Sequence, residues 1–308
     1  MSKTNKEIFN ADVVICGGAL AGMTLALALI KKGFNIMIVD PKSVKDIISL
    51  DKRTTAIAEG PKNFYQEIGV WNKIKPYSEP IKKINIKDGN SDVDLNFDCT
   101  EFNNKQDITS LGYVVENTVL LEKINLAIQS HKKEGSLKRV RASVSSISSD
   151  NFSSKVYLSN KTILTCKLVV ACDGKHSLTR KMMNIEIKNI SYNQEAFVCT
   201  ILHEKKHNNI ALEKFLPGGP LAILPMQKYE NRNRSSIIWS DKKINSKSRY
   251  NSSIEDVSMI EYEIEKHCKE WLGKIELHGF RATFPLQLTV PKSLIGKRFI
   301  LMGDSAHS

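Results

Sequence analysis

The sequence lacks the features that mark a metalloprotein or a disulfide-rich protein. Its six cysteines form no C-x-x-C pair, and its seven histidines show no metal-ligand spacing with them. Cys16, Cys172 and Cys199 lie in apolar, strand-like runs, where a cysteine serves as a small buried hydrophobic residue in a reducing compartment. We therefore expect no metal site and no disulfide.

Long uninterrupted hydrophobic runs are also missing. The segment from Val13 to Ile30 carries no charge and approaches the roughly 18 residues of a membrane span, but Gly17 and Gly18 interrupt it after a strand-like start. Glu7 and Asp12 precede it, and an acidic start fits a secretory signal poorly. The sequence predicts a cytoplasmic protein, at most peripheral on the inner face of the membrane.

Acidic residues are few relative to basic ones. The 45 Lys and Arg residues against 33 Asp and Glu residues give a formal net charge of +12 at pH 7. The lysines are spread along the chain without basic–aromatic interleaving, so nucleic-acid binding is not expected. An anionic membrane surface fits this charge better and would suit a lipid-like substrate. At 308 residues, of which 41% are hydrophobic, the chain can form a substantial core in one large or two closely joined domains.

What the sequence does contain is a glycine-rich turn between a buried strand and a helix. The run Asp12–Gly22 leads into helical sequence from about Leu20 to Lys32, a stop at Gly33 and a second strand over Asn35–Val39. A strand, turn and helix in this order aim backbone N–H groups and the positive end of the helix dipole at one point. Such a point suits a pyrophosphate.

The glycine spacing matches a dinucleotide-binding pattern in part. Gly17 and Gly22 take the outer glycine positions, while Ala19 stands where the backbone approaches the pyrophosphate most closely. Asp40 follows about 20 residues later, where a carboxylate accepts hydrogen bonds from a ribose. The alternative is a parallel β-α-β unit whose turn happens to be glycine-rich. We predict an adenine-dinucleotide site formed by Gly17, Gly18, Ala19, Leu20, Ala21, Gly22 and Asp40.

An arginine follows this unit. Apolar residues recur at helical spacing from about Thr54 to Ile68, which predicts a helix with Arg53 near its start. There Arg53 either binds phosphate or ribityl oxygens or is simply solvated. Further along, Asn117 is predicted to cap a helix that extends to about His131.

Two more strands end in polar turns. The strand over Thr162–Ala171 runs into Asp173-Gly174, followed by a short helix that Ser177 can cap and that carries Arg180. The strand over Arg298–Met302 runs into Gly303-Asp304. Ligands of open α/β folds bind at the carboxyl edge of the sheet, although Asp-Gly alone is also an ordinary turn.

The stretch between these turns is rich in β-type sequence. The segment from Phe215 to Pro225 contains Pro-Gly-Gly-Pro and ends in Leu-Pro. Because proline cannot donate to a β-ladder, this segment is predicted to be an edge or pocket-lining strand rather than a central one.

Together these motifs resemble a known family. The glycine turn with Asp40, the Asp173 turn and the terminal Gly303-Asp304 turn occur in order with Asp51-x-Arg53-Thr54-Thr55-Ala56, Gly112–Asn117 and Gly219–Pro225. The set resembles the class A flavoprotein monooxygenases, and most of all the ubiquinone-biosynthesis hydroxylases of the 2-octaprenyl-6-methoxyphenol hydroxylase group. The resemblance covers essentially the whole chain.

The resemblance implies an α/β fold in which a Rossmann-type FAD-binding domain is interleaved with a mainly antiparallel β-sheet substrate domain. The FAD-binding domain would comprise 1–78, 112–184 and 280–308, and the substrate domain 79–111 and 185–279. By resemblance, Gly17 and Gly22 hold the FAD pyrophosphate turn and Asp40 the adenosine ribose. The other implied contacts are Arg53 near the substrate side of FAD, Asp173 and Gly174 (with Arg180 nearby) for FAD and NAD(P)H, and Gly303 and Asp304 for the ribityl chain or pyrophosphate.

The implied reaction uses NAD(P)H and O2 to hydroxylate a polyprenyl phenol on bound FAD. The cofactor carries that chemistry, so we nominate no side-chain nucleophile, and we assign no acid–base role to the motif residue His307. Other proteins of ubiquinone biosynthesis are implied as partners.

The sequence departs from the family at its end. Members continue past the Gly-Asp element with Pro-x-x-Gly-Gln-Gly and a helical region that meets the flavin, whereas this sequence stops at Ser308. We expect a fragment, a chain completed by another chain, or an impaired enzyme. Two alternatives stay open: another FAD oxidoreductase on the same scaffold, such as a prenyl-lipid reductase, and a non-catalytic binding subunit.

Overall fold

Three β-sheets and their covering helices form the fold, in a computed structural model that describes residues 8–89, 94–102, 109–131, 136–251 and 257–308. The strands are β1 (Ile8–Cys16), β2 (Ile36–Val39), β3 (Thr54–Ala58), β4 (Glu79–Ile81), β5 (Lys83–Asp88), β6 (Asp94–Asp98), β7 (Gly112–Glu116), β8 (Leu137–Val140), β9 (Val144–Ser149), β10 (Ser154–Leu158), β11 (Ile163–Ala171), β12 (Ile187–His203), β13 (Ile210–Leu216), β14 (Gly219–Tyr229), β15 (Arg232–Lys242), β16 (Ile275–Pro291), β17 (Ile295–Gly296) and β18 (Phe299–Leu301). The helices are α1 (Leu20–Lys31), α2 (Val44–Leu50), α3 (Glu59–Glu67), α4 (Trp71–Ile74), α5 (Asn117–His131), α6 (Leu178–Met182), α7 (Lys243–Asn251) and α8 (Val257–Leu272), with 3₁₀ turns at Lys75–Tyr77, Cys99–Phe102 and Gly303–Ser305.

The first sheet is the parallel one that the glycine-rich unit predicts. Its order is β17-β18-β11-β1-β2-β8, and β18, β11, β1, β2 and β8 run parallel. Strand β1 is buried on both faces, as its continuous apolar sequence predicts: Ile15 packs in the cluster that includes α1 and α5, and Val14 in the cluster that includes β9 and β10. Helix α1 begins at the predicted Leu20 and ends one residue before the predicted Lys32.

The second sheet is mainly antiparallel and has the order β16-β12-β15-β14-β13-β5-β6. One face packs on α8 through Phe197, Ile237 and Ile264. The small third sheet, β3-β7-β4, covers part of the other face. There Ile81 and Val114 form a hydrophobic cluster with Ala211 and Met226 of the second sheet. The predicted fold class, a parallel nucleotide-type sheet interleaved with an antiparallel one, is confirmed.

Two strands differ from the local structure that the sequence predicts. Thr54–Ala58 is a strand paired with β7 rather than the first turn of a helix, because β-branched residues favour the extended partner that β7 offers; the helix begins at Glu59. Strand β14 lies between β13 and β15 and is therefore central rather than an edge strand, although Pro217 and Gly218 in the turn before it do line a cavity. The pairing of β14 with β13 ends at Ile223, which lies opposite Leu212. Pro225 lies beyond this point, so its missing N–H removes no hydrogen bond to β13.

The sheet order bears on the predicted domain boundaries. Strand β16 pairs with β12 along almost its whole length, from Ile275 to Pro291, so a boundary at residue 280 falls inside a strand of the second sheet. We propose that the last nucleotide-domain segment begins after Pro291. Strand β4 pairs with β7, which places residues 79–81 in the third sheet.

The described helices include none that is long and apolar enough to cross a bilayer. Within the same described part of the chain, no group of three or more His, Cys, Asp and Glu residues is arranged to hold a metal ion.

A buried histidine in the second sheet gives the fold a pH dependence. The His203 Nδ1–H donates to the Lys205 carbonyl at 2.7 Å, and Nε2 lies 3.0 Å from the Ser235 hydroxyl, from which it accepts a hydrogen bond when the ring is neutral. Burial lowers the pKa of His203 from its ordinary value. His203 therefore binds a proton more readily in the unfolded chain than in the folded one. Because proton binding then favours the unfolded state, the free energy of unfolding should fall as the pH drops below about 6.5.

His203→Gln should reduce that fall, since glutamine keeps a donor and an acceptor but does not titrate. Urea unfolding of both proteins at about pH 7.5 and about pH 5 measures the difference. An identical pH dependence in the two proteins would show that His203 does not titrate on unfolding.

Candidate functional site

The turn between β1 and α1 requires glycine at two places. Gly17 has a φ of +109°, and a Cβ there would run into the Cys172 carbonyl and lie 2.8 Å from the Asp173 amide nitrogen. A Cβ on Gly22 would run into the Gly17 carbonyl oxygen. Helix α1 therefore packs directly on the turn, and the turn packs directly on the end of β11.

The N-terminus of α1 is left open to a ligand. Its cap residue Ala19 is exposed and makes no side-chain hydrogen bond, and the first turn contains no acidic residue. The Met23 amide makes the first helical bond, to the Ala19 carbonyl at 2.9 Å. The preceding amides of this twelve-residue helix, with the positive end of its dipole, form a site suited to a phosphate group.

Asp40 lies beside this turn at the end of β2. One carboxylate oxygen accepts a hydrogen bond from the Gly18 amide at 2.7 Å, and the other accepts from the Lys42 amide at 2.8 Å. Both bonds hold the carboxylate at the rim of the turn, within the lining of a cleft. This is where the sequence places a ribose-binding acid.

Asp173 braces the second turn. Its carboxylate accepts from the Ser177 hydroxyl at 2.5 Å, and from the Thr179 hydroxyl at 2.9 Å and amide at 3.0 Å. Ser177 also accepts from the Arg180 amide and so caps α6, as predicted. Asp173 therefore fixes the shape of its loop, and Gly174 follows it with a φ of +83°.

The terminal turn lies against the other two. The Met302 amide donates to the Ala171 carbonyl at 2.9 Å, and a Cβ on Gly303 would lie 2.9 Å from the Ala21 side chain in the first turn of α1. Ser305 is fully buried, and its hydroxyl donates to the Ala171 carbonyl at 2.7 Å. The glycine turn, the Asp173 turn and the Gly303 turn thus meet at one edge of the parallel sheet.

Arg180 does not face the cleft. It is 2% exposed, and its guanidinium donates to the Ser305 carbonyl at 2.8 Å and to the Lys175 carbonyl at 3.0 Å. Its expected place among the cofactor contacts needs correction, because a side chain buried behind the loops cannot reach a ligand on their cleft side. Arg180 is a positioning residue that ties the terminal turn to the Asp173 turn.

Arg53 also lines the cleft and directly precedes β3. Its guanidinium makes two bonds to Asp51, at 2.7 and 2.8 Å, and lies over the ring of Phe284. The hydrogen bonds to Asp51 raise the pKa of Arg53 most, burial opposes them, and the charges of Asp51 and Asp304 add to the rise. Arg53 therefore keeps its positive charge within the electrostatic reach of the terminal turn.

Asn117 supports this pair and is not the predicted helix cap. It is the first residue of α5, its amide nitrogen donates to Asp51 at 3.1 Å, and its amide oxygen accepts from Thr55 at 2.5 Å. Burial raises the pKa of Asp51, but the hydrogen bonds from Arg53 and Asn117, with the charge of Arg53, outweigh it and lower the pKa overall.

These elements enclose a cleft of about 910 Å³. Six of the predicted site residues line it, namely Gly17, Ala19, Asp40, Arg53, Asp173 and Gly174. The remaining predicted residues, Gly18, Leu20, Ala21, Gly22, Arg180, Gly303 and Asp304, support or flank the lining. Phe280, Ala282 and Phe284 of β16 form the wall that sequence reasoning missed.

A row of side chains continues from this wall across the second sheet. In register, Ala282 lies beside Val198, Val198 beside Ile238, Ile238 beside Ala222, and Ala222 beside Glu213. The neighbouring residues along these strands, such as Phe197, Ile237 and Leu221, point into the α8 core. Because side chains alternate between the two faces of a sheet, the row itself lies on the opposite face. We call it the apolar row. Its members are half-buried, and burial raises the pKa of Glu213 at its end.

A model of one family, described as FAD binding domain, matches residues 10–308. The chain belongs to this family. FAD is accordingly the cofactor of this chain, and the uncapped α1 terminus, the carboxylate of Asp40 and the glycine contacts at the cleft fit a dinucleotide of this kind.

The chain is similar to several other proteins along nearly its whole length. Ubiquinone hydroxylase UbiL of Rhodospirillum rubrum is 32% identical over 299 residues, which cover 96% of this chain and 66% of UbiL. Ubiquinone hydroxylase UbiM of Neisseria meningitidis is 28% identical over 96% of this chain and 63% of its own. The crystal structure of p-nitrophenol 4-monooxygenase PnpA from Pseudomonas putida superposes with a TM-score of 0.78 at 15% identity, over 98% of this chain and 74% of PnpA, which shows a shared fold. The chain thus spans about two thirds of the length of the two hydroxylases.

Proposed function

We propose that this chain carries the FAD site and part of the substrate site of an NAD(P)H-dependent monooxygenase that hydroxylates a polyprenyl phenol ring in ubiquinone biosynthesis. Two lines of support are independent of each other. The relatives named ubiquinone hydroxylase align over 96% of the chain. The second is the apolar row, which favours a long hydrophobic substrate.

The apolar row is the observation that carries the substrate class. Ala282 belongs both to the cleft wall and to the row, so the two surfaces are continuous. Adjacent strands are about 4.8 Å apart, so the four aliphatic members of the row, on β16, β12, β15 and β14, extend over about 14 Å, and Glu213 on β13 ends the row at about 19 Å. Half-buried aliphatic side chains of this extent suit an isoprenoid tail better than a small polar aromatic compound.

Different residues of the chain then bind the cofactor and the substrate. Amides at the α1 terminus and the Asp40 carboxylate hold the pyrophosphate and adenosine ribose, while Arg53 holds positive charge beside Phe284 at the substrate side. Bound FAD supplies the electron transfer and the activation of oxygen. The apolar row orients the substrate and keeps water from the cleft. The side chains of the chain provide no nucleophile in this scheme.

Ile238→Asn tests the apolar row. A polar amide in the middle of the row should raise the KM for a long-chain prenyl phenol by about 10-fold or more, because the tail loses apolar contact and the amide loses water. The KM for an analogue that lacks the tail should change little. Substrate-stimulated NAD(P)H oxidation measures both.

Leu126→Asn is the matched control, since Leu126 is 47% exposed on α5 and lies outside the antiparallel sheet. Equal effects of Ile238→Asn on the long and the tail-free substrate would refute a tail-binding role for the row. Mass analysis of the product for incorporated oxygen tests the reaction itself: a reduced product without added oxygen would favour a prenyl-lipid reductase.

A further inference from the structure

A second cavity lies beside the antiparallel sheet, and none of its lining residues lines the cleft. It has a volume of about 790 Å³ and lies between the bulge of β12, the β13–β14 turn and the start of α7. We call it the α7 groove. It is lined by Tyr192, Asn193, Gln194, Pro217, Gly218, Lys242, Lys243, Ile244 and Lys247.

The α7 groove is positively charged. Lys242, Lys243 and Lys247 line it, whereas its lining contains no acidic residue, and the sequence of α7 has none. Asp241 and Glu195 lie close by in sequence, but both side chains are buried, and Asp241 is paired with Arg249 at 3.0 Å. The three lysines therefore present their charge to whatever approaches from solvent.

Apolar side chains stand among these lysines. Ile244 is 76% exposed and Tyr192 is 53% exposed, and both line the groove. An exposed isoleucine contributes nothing to the binding of a small soluble anion. An aliphatic and an aromatic side chain flanked by lysines suit the interface of a bilayer, where the apolar groups enter the acyl boundary and the lysines meet anionic head groups.

Two residues that line the groove, Gln194 and Lys242, share the sheet face of the apolar row, whereas α7 packs on the α8 side, where Arg249 pairs with Glu263. Lys242 lies four residues from Ile238 on β15, and Gln194 lies four residues from Val198 on β12, so each pair points to the same side. Four residues of strand span about 13 Å. The Gln194 side chain also donates to the Gly218 carbonyl at 2.9 Å, which joins the bulge to the β13–β14 turn at the groove.

We propose that the α7 groove docks this chain on an anionic lipid bilayer. The surface consists of Lys242, Lys243 and Lys247 with Ile244 and Tyr192. It goes beyond the proposed reaction and does not depend on it, although Gln194 and Lys242 at the groove lie only about 13 Å along their strands from the row that is offered to a prenyl tail.

Sedimentation with vesicles tests the docking surface. Vesicles of phosphatidylcholine with about one third phosphatidylserine should bind the FAD-loaded chain, and pure phosphatidylcholine should bind it far less. Lys243→Gln combined with Lys247→Gln should weaken binding about 25-fold, at about five-fold per lysine. Lys155→Gln combined with Lys297→Gln removes the same charge from exposed positions outside the groove and should have a small effect.

Ile244→Ser separates a bilayer from a soluble anion. On the proposed surface it should weaken vesicle binding about five-fold or more while the net charge stays the same. Equal binding by Ile244→Ser and the original chain, with inorganic phosphate displacing the vesicles, would assign the groove to a free anion and overturn the proposal. Absence of binding to the anionic vesicles, or equal losses in the two lysine pairs, would overturn it as well. Unchanged FAD retention in each variant verifies that the fold is intact.

Discussion

Gly22→Ala should release FAD from a chain that still folds. The new Cβ would run into the Gly17 carbonyl oxygen and lie 3.3 Å from the Ile15 side chain, so α1 must move away from the turn. Overpacking of this kind costs about 1–3 kcal/mol, and the displaced helix terminus no longer aims its amides at the pyrophosphate. We expect the affinity for FAD to fall about 100-fold, as measured by titration of flavin fluorescence.

Gly60→Ala is the control for this substitution. Gly60 lies in α3, and a Cβ there meets nothing within 4 Å, so FAD affinity should stay the same and stability should stay equal or rise slightly. Normal FAD binding by Gly22→Ala, with circular dichroism unchanged, would contradict the role given to the α1 terminus.

Arg180→Met should give the largest loss of stability among the site variants. The buried guanidinium donates to carbonyls of two separate turns, and methionine fills a similar volume without any donor. The Ser305 carbonyl then remains without its partner in a buried position. We expect the free energy of unfolding to fall by about 3 kcal/mol, as measured by urea denaturation.

The same substitution should also weaken FAD binding, because the terminal turn is no longer tied to the Asp173 turn. Lys181→Met is the matched control: the neighbouring lysine is exposed, and its loss should change the free energy of unfolding by less than about 0.5 kcal/mol. Equal stability of Arg180→Met and Lys181→Met would remove Arg180 from its positioning role.

The sequence predicted the parts of the site that are continuous along the chain. The β1–α1–β2 unit needs only a buried strand, a glycine turn and an apolar helix in succession, and Asp40 follows at the distance that a parallel neighbouring strand sets. Ser177 as the cap of α6 is equally local. These interactions form between residues close in sequence, so their pattern is visible without the fold.

Contacts between distant segments were not predictable in the same way. Apolar residues at helical spacing after Arg53 predict a helix, but residues 54–58 form a strand because β7 lies beside them. The sequence alone does not show that β7 is there. Arg180 looks like any arginine on a short helix until the fold brings Ser305, far along the chain, against its guanidinium. The apolar row needs the register of five strands, although strands with apolar residues on both faces, such as 196–202, already indicate a second face that requires a cover.

A titration of the 308-residue chain with FAD tests most directly whether three distant turns form one flavin site. The chain should bind one FAD per molecule, and Asp40→Ala and Asp304→Ala, in separate turns, should each weaken that binding by about 10-fold or more. A chain that ignores FAD, or that binds it with an affinity neither substitution alters, would contradict the shared site.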